Sequence, residues 1–165
     1  MIRIITILLL VVITISTNAQ ISKVSLQASG LTCSMCNLAV KKSLQKIPFV
    51  QDIKADVETA TYTLTFKEGQ KVELNDIQQA VKKAGFSVSK LIFTSNFNNI
   101  AIPQNNQITI DGNTYNLISP SSKKLNGNID LKIVDKDFVS EKEFKKYKAK
   151  LIINSQKQVF NVISI

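Results

Sequence analysis

The chain has no histidine and no tryptophan, and Arg3 is its one arginine. Without histidine, the usual general base near neutral pH is missing, and so is the commonest side-chain metal ligand. Cys-His and Ser-His hydrolases are excluded, and a metal site made from this chain alone must rest on thiolates. Cysteine is scarce as well: Cys33 and Cys36 are the only two. With a single arginine, the bidentate base and phosphate contacts of nucleic-acid readers are not available, so no nucleic-acid partner is expected. No low-complexity tract interrupts the 165 residues, and a hydrophobic share of 44% suits one ordinary domain or two small ones.

Lysine supplies nearly all the positive charge, giving a net +9 against 12 acidic residues. The lysines are spread along the chain, ten in 20–94 and ten in 95–165. That spacing describes a solvated basic surface rather than one patch for acidic partners or lipid head groups.

The chemistry concentrates in Gly30-Leu31-Thr32-Cys33-Ser34-Met35-Cys36. Before it, Val24, Leu26 and Ala28 alternate with polar residues, the period-2 pattern of a half-buried strand. After it, Leu38, Val40, Leu44 and Ile47 recur at helical spacing, with Lys41, Lys42 and Lys46 turned away. The cysteine pair is therefore expected on a strand-to-helix turn, in the first turn of the helix. Unpaired N–H groups and the helix dipole favour negative charge there, which eases ionisation of a thiol to the thiolate.

Two intervening residues let both sulfurs converge on one point. Two thiolates suit a soft ion of low coordination number such as Cu(I), whereas Zn(II) prefers four ligands and would need a second molecule, water or a carboxylate. Met35 offers a further thioether, although such a residue more often caps apolar surface. Three readings of the pair stay open: reversible binding of a soft metal, thiol–disulfide exchange, and a structural disulfide. A bridge closing so short a loop stabilises little, which weakens the third.

The N-terminus carries Met1-Ile2-Arg3, an apolar run from Ile4 to Ile15, and then Ser16-Thr17-Asn18-Ala19-Gln20. This is the layout of a secretory signal peptide over 1–19, cut after Ala19, with Thr17 and Ala19 at the −3 and −1 positions. The apolar core falls short of the ~20 residues that span a bilayer, which argues against an uncleaved anchor. No cysteine sits near the cut, so a lipid anchor is not expected. The mature protein is expected in the periplasm or outside the cell, meeting the membrane only through the transient signal.

Residues 20–94 alternate strand and helix. Pro48 ends the first helix. Ile53, Ala55 and Val57 mark a second strand, and Tyr62, Leu64 and Phe66 a third across the turn Glu58-Thr59-Ala60. Leu74, Ile77, Ala80, Val81 and Ala84 mark a second helix closed by Gly85, and Phe86 to Phe93 a fourth strand. The order βαββαβ predicts an α+β, ferredoxin-like sandwich with both helices on one face of an antiparallel sheet.

The cysteine loop in that setting, followed by Ala84-Gly85-Phe86, resembles the heavy-metal-associated domain family over residues 22–93. That family includes copper chaperones, periplasmic mercury-binding proteins and N-terminal modules of metal-transporting ATPases. Its motif is Gly-Met-Thr-Cys-x-x-Cys. The resemblance implies that Cys33 and Cys36 are the metal ligands, that Gly30 and Thr32 shape the loop, and that Phe86 shields it. Leu31 stands where the family carries Met and fills the same apolar role. It also implies a cargo of Cu(I), with Hg(II), Zn(II) or another soft ion as alternatives. The ion would pass to a metal-transporting ATPase or another metal-accepting protein through shared thiolates, with no catalysis.

The second half differs in composition. Residues 95–106 are polar and are expected to form a linker. Ile108 and Ile110, then Asp111-Gly112-Asn113, then Tyr115 and Leu117 form a hairpin pattern. Ile129, Leu131 and Ile133 mark a strand, Ser140-Glu141-Lys142-Glu143 opens a short helix, and 150–153 with 159–165 are expected to close a last hairpin around 154–157. Such strands over 107–165 predict a small β-rich domain, a barrel of the oligonucleotide/oligosaccharide-binding type being the nearest architecture. Asp135-Lys136-Asp137 is expected to be a turn rather than an ion site. The chain is expected to be monomeric. A thiol redox protein, or a β binding module with a degenerate metal domain, are the competing functions.

Overall fold

The computed structural model describes residues 19–31, 33–152 and 158–165. Residues 1–18 of the expected signal segment 1–19, Thr32, and residues 153–157, which include the expected turn 154–157, lie outside the described residues. Among the described residues no helix is long and apolar enough to cross a membrane.

The first half folds as its pattern predicts. β1 (Ile21–Ser29) buries Ile21, Val24, Leu26 and Ala28. It pairs antiparallel with β3 (Thr61–Phe66) on one side and with β4 (Ser87–Ala101) on the other, so that Leu26 faces Tyr62 and Leu91. β2 (Val50–Asp56) pairs with β3 at the edge. The buried residues of α1 (Ser34–Leu44), among them Val40 and Leu44, and of α2 (Leu74–Lys83), among them Leu74, Ile77 and Val81, join the same core as these strands. The hydroxyl of Ser43 donates to the carbonyl of Ala80 at 2.7 Å, which ties the two helices together. Gly85 takes a φ of +90° just after α2, the left-handed stop that glycine supplies most cheaply.

Two details differ from the sequence pattern. Leu38, expected on the buried stripe of α1, is exposed, and the polar Asn37 is buried in its place. Val57 is exposed because β2 ends at Asp56, whose carboxylate accepts the N–H groups of Glu58 and Thr59 and turns the chain.

The second half builds onto the same sheet. The stretch expected to be a linker begins as strand: β4 continues to Ala101, with Ser95 and Phe97 buried, and only 102–106 form a connecting turn. β7 (Lys124–Ile133) pairs antiparallel along β4 from Ile92 to Ala101. β5 (Gln107–Ile110) and β6 (Asn113–Leu117) make the predicted hairpin, with Asp111 and Gly112 at φ of +49° and +76°. That is the left-handed pair a tight two-residue turn needs.

Among the described residues the expected last hairpin is not seen. Lys148–Lys150 is a single turn of 3-10 helix after α3 (Glu141–Tyr147), and Leu151 and Ile152 carry no strand. β8 (Val159–Ser164) instead inserts between β7 and β6, antiparallel to the first and parallel to the second. Its buried Phe160 and Val162 reach the core only from a central position, where both backbone edges are bonded. The strand order is β2-β3-β1-β4-β7-β8-β6-β5. The later strands thus extend an open sheet with edges at β2 and β5, rather than closing among themselves into a barrel. Phe93 meets Tyr115 at 5.1 Å, Tyr115 meets Phe160 at 5.4 Å, and Phe160 meets Phe138 at 5.7 Å, so one core runs through both halves.

Candidate metal centre

β1 delivers the chain to the cysteine loop through Gly30, whose φ of +86° makes the corner between strand and helix. A Cβ on Gly30 would lie 3.8 Å from Cδ1 of Phe86, so the ring of Phe86 packs against this corner. Leu31 and Phe86 are both half-buried against the core, which fits an apolar support under the loop. Thr32, the other expected loop-shaping residue, is outside the described residues.

Cys33 is the N-cap of α1, with extended backbone at φ −145° and ψ 156°. Its Sγ accepts the backbone N–H of Cys36 at 3.1 Å, the place a serine or aspartate oxygen takes in an ordinary cap. A sulfur that receives an N–H at a helix start is favoured in its anionic form. The first turn of α1 holds no acidic residue to oppose that charge. The Cα atoms of Cys33 and Cys36 are 5.2 Å apart and their sulfurs are joined in a disulfide. The two sulfurs therefore lie together at the start of α1. Cys33 is exposed and Cys36 half-buried. Met35 is 72% exposed and Leu38 41% exposed, forming an apolar rim.

Two residues beneath the loop carry no local sequence pattern that marks them. Asn37 is buried, and its Nδ2 donates to the carbonyl oxygen of Cys33 at 3.3 Å. The hydroxyl of Tyr62, fully buried on β3, donates to Asn37 Oδ1 at 2.9 Å. Burial alone pushes the Tyr62 phenol above its ordinary value, which keeps it protonated and able to donate. The signal that was present is general: a tyrosine on a buried strand face needs a partner for its hydroxyl.

Among the described residues no three or more Cys, Asp or Glu side chains gather as a metal site. Asp135-Lys136-Asp137 is a turn, with Asp137 at φ +75°. The Asp135 carboxylate is occupied by Asn161, accepting its N–H and its Nδ2 at 2.7 Å each.

A profile of the heavy-metal-associated domain matches residues 25–87, the stretch that contains the cysteine loop. The periplasmic component of the mercuric transport protein of Serratia marcescens is 31% identical over 71 residues, covering 43% of this chain and 77% of the relative. This chain belongs to the heavy-metal-associated domain family. Its Alcaligenes counterpart is 32% identical over the same share of each chain. Among solved structures, oxidized MerP from Ralstonia metallidurans CH34 is 30% identical, with 42% of this chain and 94% of that chain covered and a TM-score of 0.38. The family match stops at residue 87, so the strands from β5 to β8 are an addition to the heavy-metal-associated unit.

Proposed function

We propose that this protein captures a soft metal ion outside the cytosol through the thiolates of Cys33 and Cys36, and hands it to a protein that offers further thiolates. It is a binding and transfer protein rather than an enzyme. The observation that carries the reading is the convergence of the two sulfurs at the N-terminus of α1, with the Cys36 N–H aimed at Cys33 Sγ. Two thiolates satisfy an ion content with low coordination, and a third thiolate can then enter and draw it away. The exposure of Cys33 and the apolar rim of Met35 and Leu38 leave that approach open.

Cu(I) is the first expectation from the donor set. Hg(II) is the second, favoured by relatives named for mercuric transport and suited to the same pair of sulfurs. The periplasmic naming of those relatives supports an extracytoplasmic site of action, in keeping with a secretory signal over 1–19. An acceptor such as a metal-transporting ATPase fits a surface that offers the ion from an exposed cysteine. A second reading, thiol–disulfide exchange, draws on the bonded state of the pair.

Anaerobic titration of the reduced protein separates them. One Cu(I) or Hg(II) per chain, lost on Cys33→Ser or Cys36→Ser, supports capture. Failure to retain either ion against a weak chelator, with reduction of insulin disulfides instead, establishes the redox reading.

A further inference from the structure

The floor of the cysteine loop contains a buried polar pair where an apolar pair would fill the same space. Tyr62 has no exposed surface, and Asn37 has 7%. Burying a phenol and a carboxamide between helix and sheet is unfavourable unless each finds partners. Here each does, and the chain of bonds leads to the cysteine loop. The Tyr62 hydroxyl donates to Asn37 Oδ1 at 2.9 Å and lies 3.2 Å from the Asn37 carbonyl oxygen. Asn37 Nδ2 then donates to the carbonyl oxygen of Cys33 at 3.3 Å. That oxygen also accepts the N–H groups of Cys36 at 3.1 Å and Asn37 at 3.2 Å. The side-chain donor thus adds to the two backbone N–H groups of the helix start in holding the Cys33 carbonyl.

We propose that Tyr62 and Asn37 are positioning residues, a relay from β3 that holds the Cys33 carbonyl and thereby keeps Cys33 Sγ beneath the Cys36 N–H, ready for the ion. The proposal rests on the metal-capture reading. Its logic is that of hydrogen bonds behind a ligand, which set the ligand's orientation without touching the metal. Tyr62 belongs to a strand paired on both sides, to β1 and to β2, so the relay anchors the turn to a strand held along both edges. Loss of Asn37 leaves the Cys33 carbonyl its two backbone donors alone, and loss of Tyr62 unpins the Asn37 side chain, so either loosens the Cys33 peptide and lowers the share of molecules with both sulfurs aimed at one point.

The test compares four reduced proteins in Cu(I) competition against a chromogenic chelator, below their unfolding temperatures: wild type, Tyr62→Phe, Asn37→Ala and the double variant. Loss of a supporting hydrogen bond behind a metal ligand weakens retention by ~10- to 100-fold, and each single variant is expected in that range. Because the two act in one chain, the double variant should be no weaker than the weaker single. Leu125→Ala, a core truncation at the far end of the β4–β7 pairing, serves as the stability control and should bind as wild type does. Retention within threefold of wild type in Tyr62→Phe overturns the relay. So do losses that multiply in the double variant, or an equal loss in Leu125→Ala. A wild type that holds no Cu(I) sinks the capture reading itself and the relay with it.

Discussion

The Oδ2 of Asp111 accepts the backbone N–H of Ile21 at 3.1 Å. A turn in the second half of the chain thus clasps the first residues of β1, the central strand of the heavy-metal-associated unit. Ser95 adds a bond from its hydroxyl to the carbonyl of Gln20 at 2.8 Å. The two halves share backbone bonds, a continuous sheet and an aromatic chain through Phe93 and Tyr115. A fragment ending at Thr94 would strip β7 from β4 and leave Phe93 without Tyr115. It should unfold at lower denaturant than the full chain, which should melt in a single transition. Equal midpoints for fragment and full chain would show the halves to be independent.

Gly30 makes the corner at a φ of +86° with Phe86 in ordinary contact range. Space is not the obstacle to a side chain there; backbone conformation is. Gly30→Ala should cost about 1–2 kcal/mol in the metal-free, reduced protein, the strain of placing an L-residue in the left-handed region. Urea denaturation reads this directly, and an unchanged midpoint would mean that the loop relaxes to another path.

The metal unit was legible because its signals are local. Period-2 burial in β1 and β3, helical spacing in α2 and the C-x-x-C turn each lie within a few residues. What escaped depends on partners far along the chain. Asn37 displaced Leu38 from the buried face because Tyr62, twenty-five positions later, bonds its side chain. The polar run 95–99 looked like a linker, yet its alternate residues Ser95 and Phe97 are buried and pair through β4 with β7. The parallel pairing of β6 with β8 has no sequence marker, since nothing in Val159–Ser164 names the strand it will lie beside.

Tyr115 presents the reverse of the Tyr62 arrangement. Its ring is fully buried between Phe93 and Phe160, and its hydroxyl has no hydrogen-bond partner among the described residues. Burial, reinforced by the charges of Asp111 and Glu73, pushes its phenol strongly upward against a smaller opposing effect of the nearby Asn113 side chain, which does not reach hydrogen-bond geometry with it. An unpartnered buried polar group costs about 1–3 kcal/mol, while the ring contacts survive in phenylalanine. Tyr115→Phe should therefore unfold at the same denaturant concentration as wild type or higher. A clear drop in midpoint would show that the hydroxyl has a partner after all.

Asp135 decides a pH dependence. Burial raises its carboxyl above the ordinary 3.8, outweighing the opposing bonds from Asn161. The native state then holds a proton that the unfolded chain has released, so stability from this group is full below pH 3.8 and is lost as pH rises through the raised native value. Asp111 is raised for the same primary reason and acts with the same sign. Asp135→Asn removes the titration. It also turns an NH2 toward one of the two Asn161 donors, a loss of about 1–3 kcal/mol that does not vary with pH. Urea midpoints of the two proteins, taken from pH 3.5 to 7, should therefore differ most in acid and converge toward neutrality. A gap that widens with rising pH would mean that the Asn161 bonds stabilise the carboxylate more than burial penalises it, reversing the sign argued here.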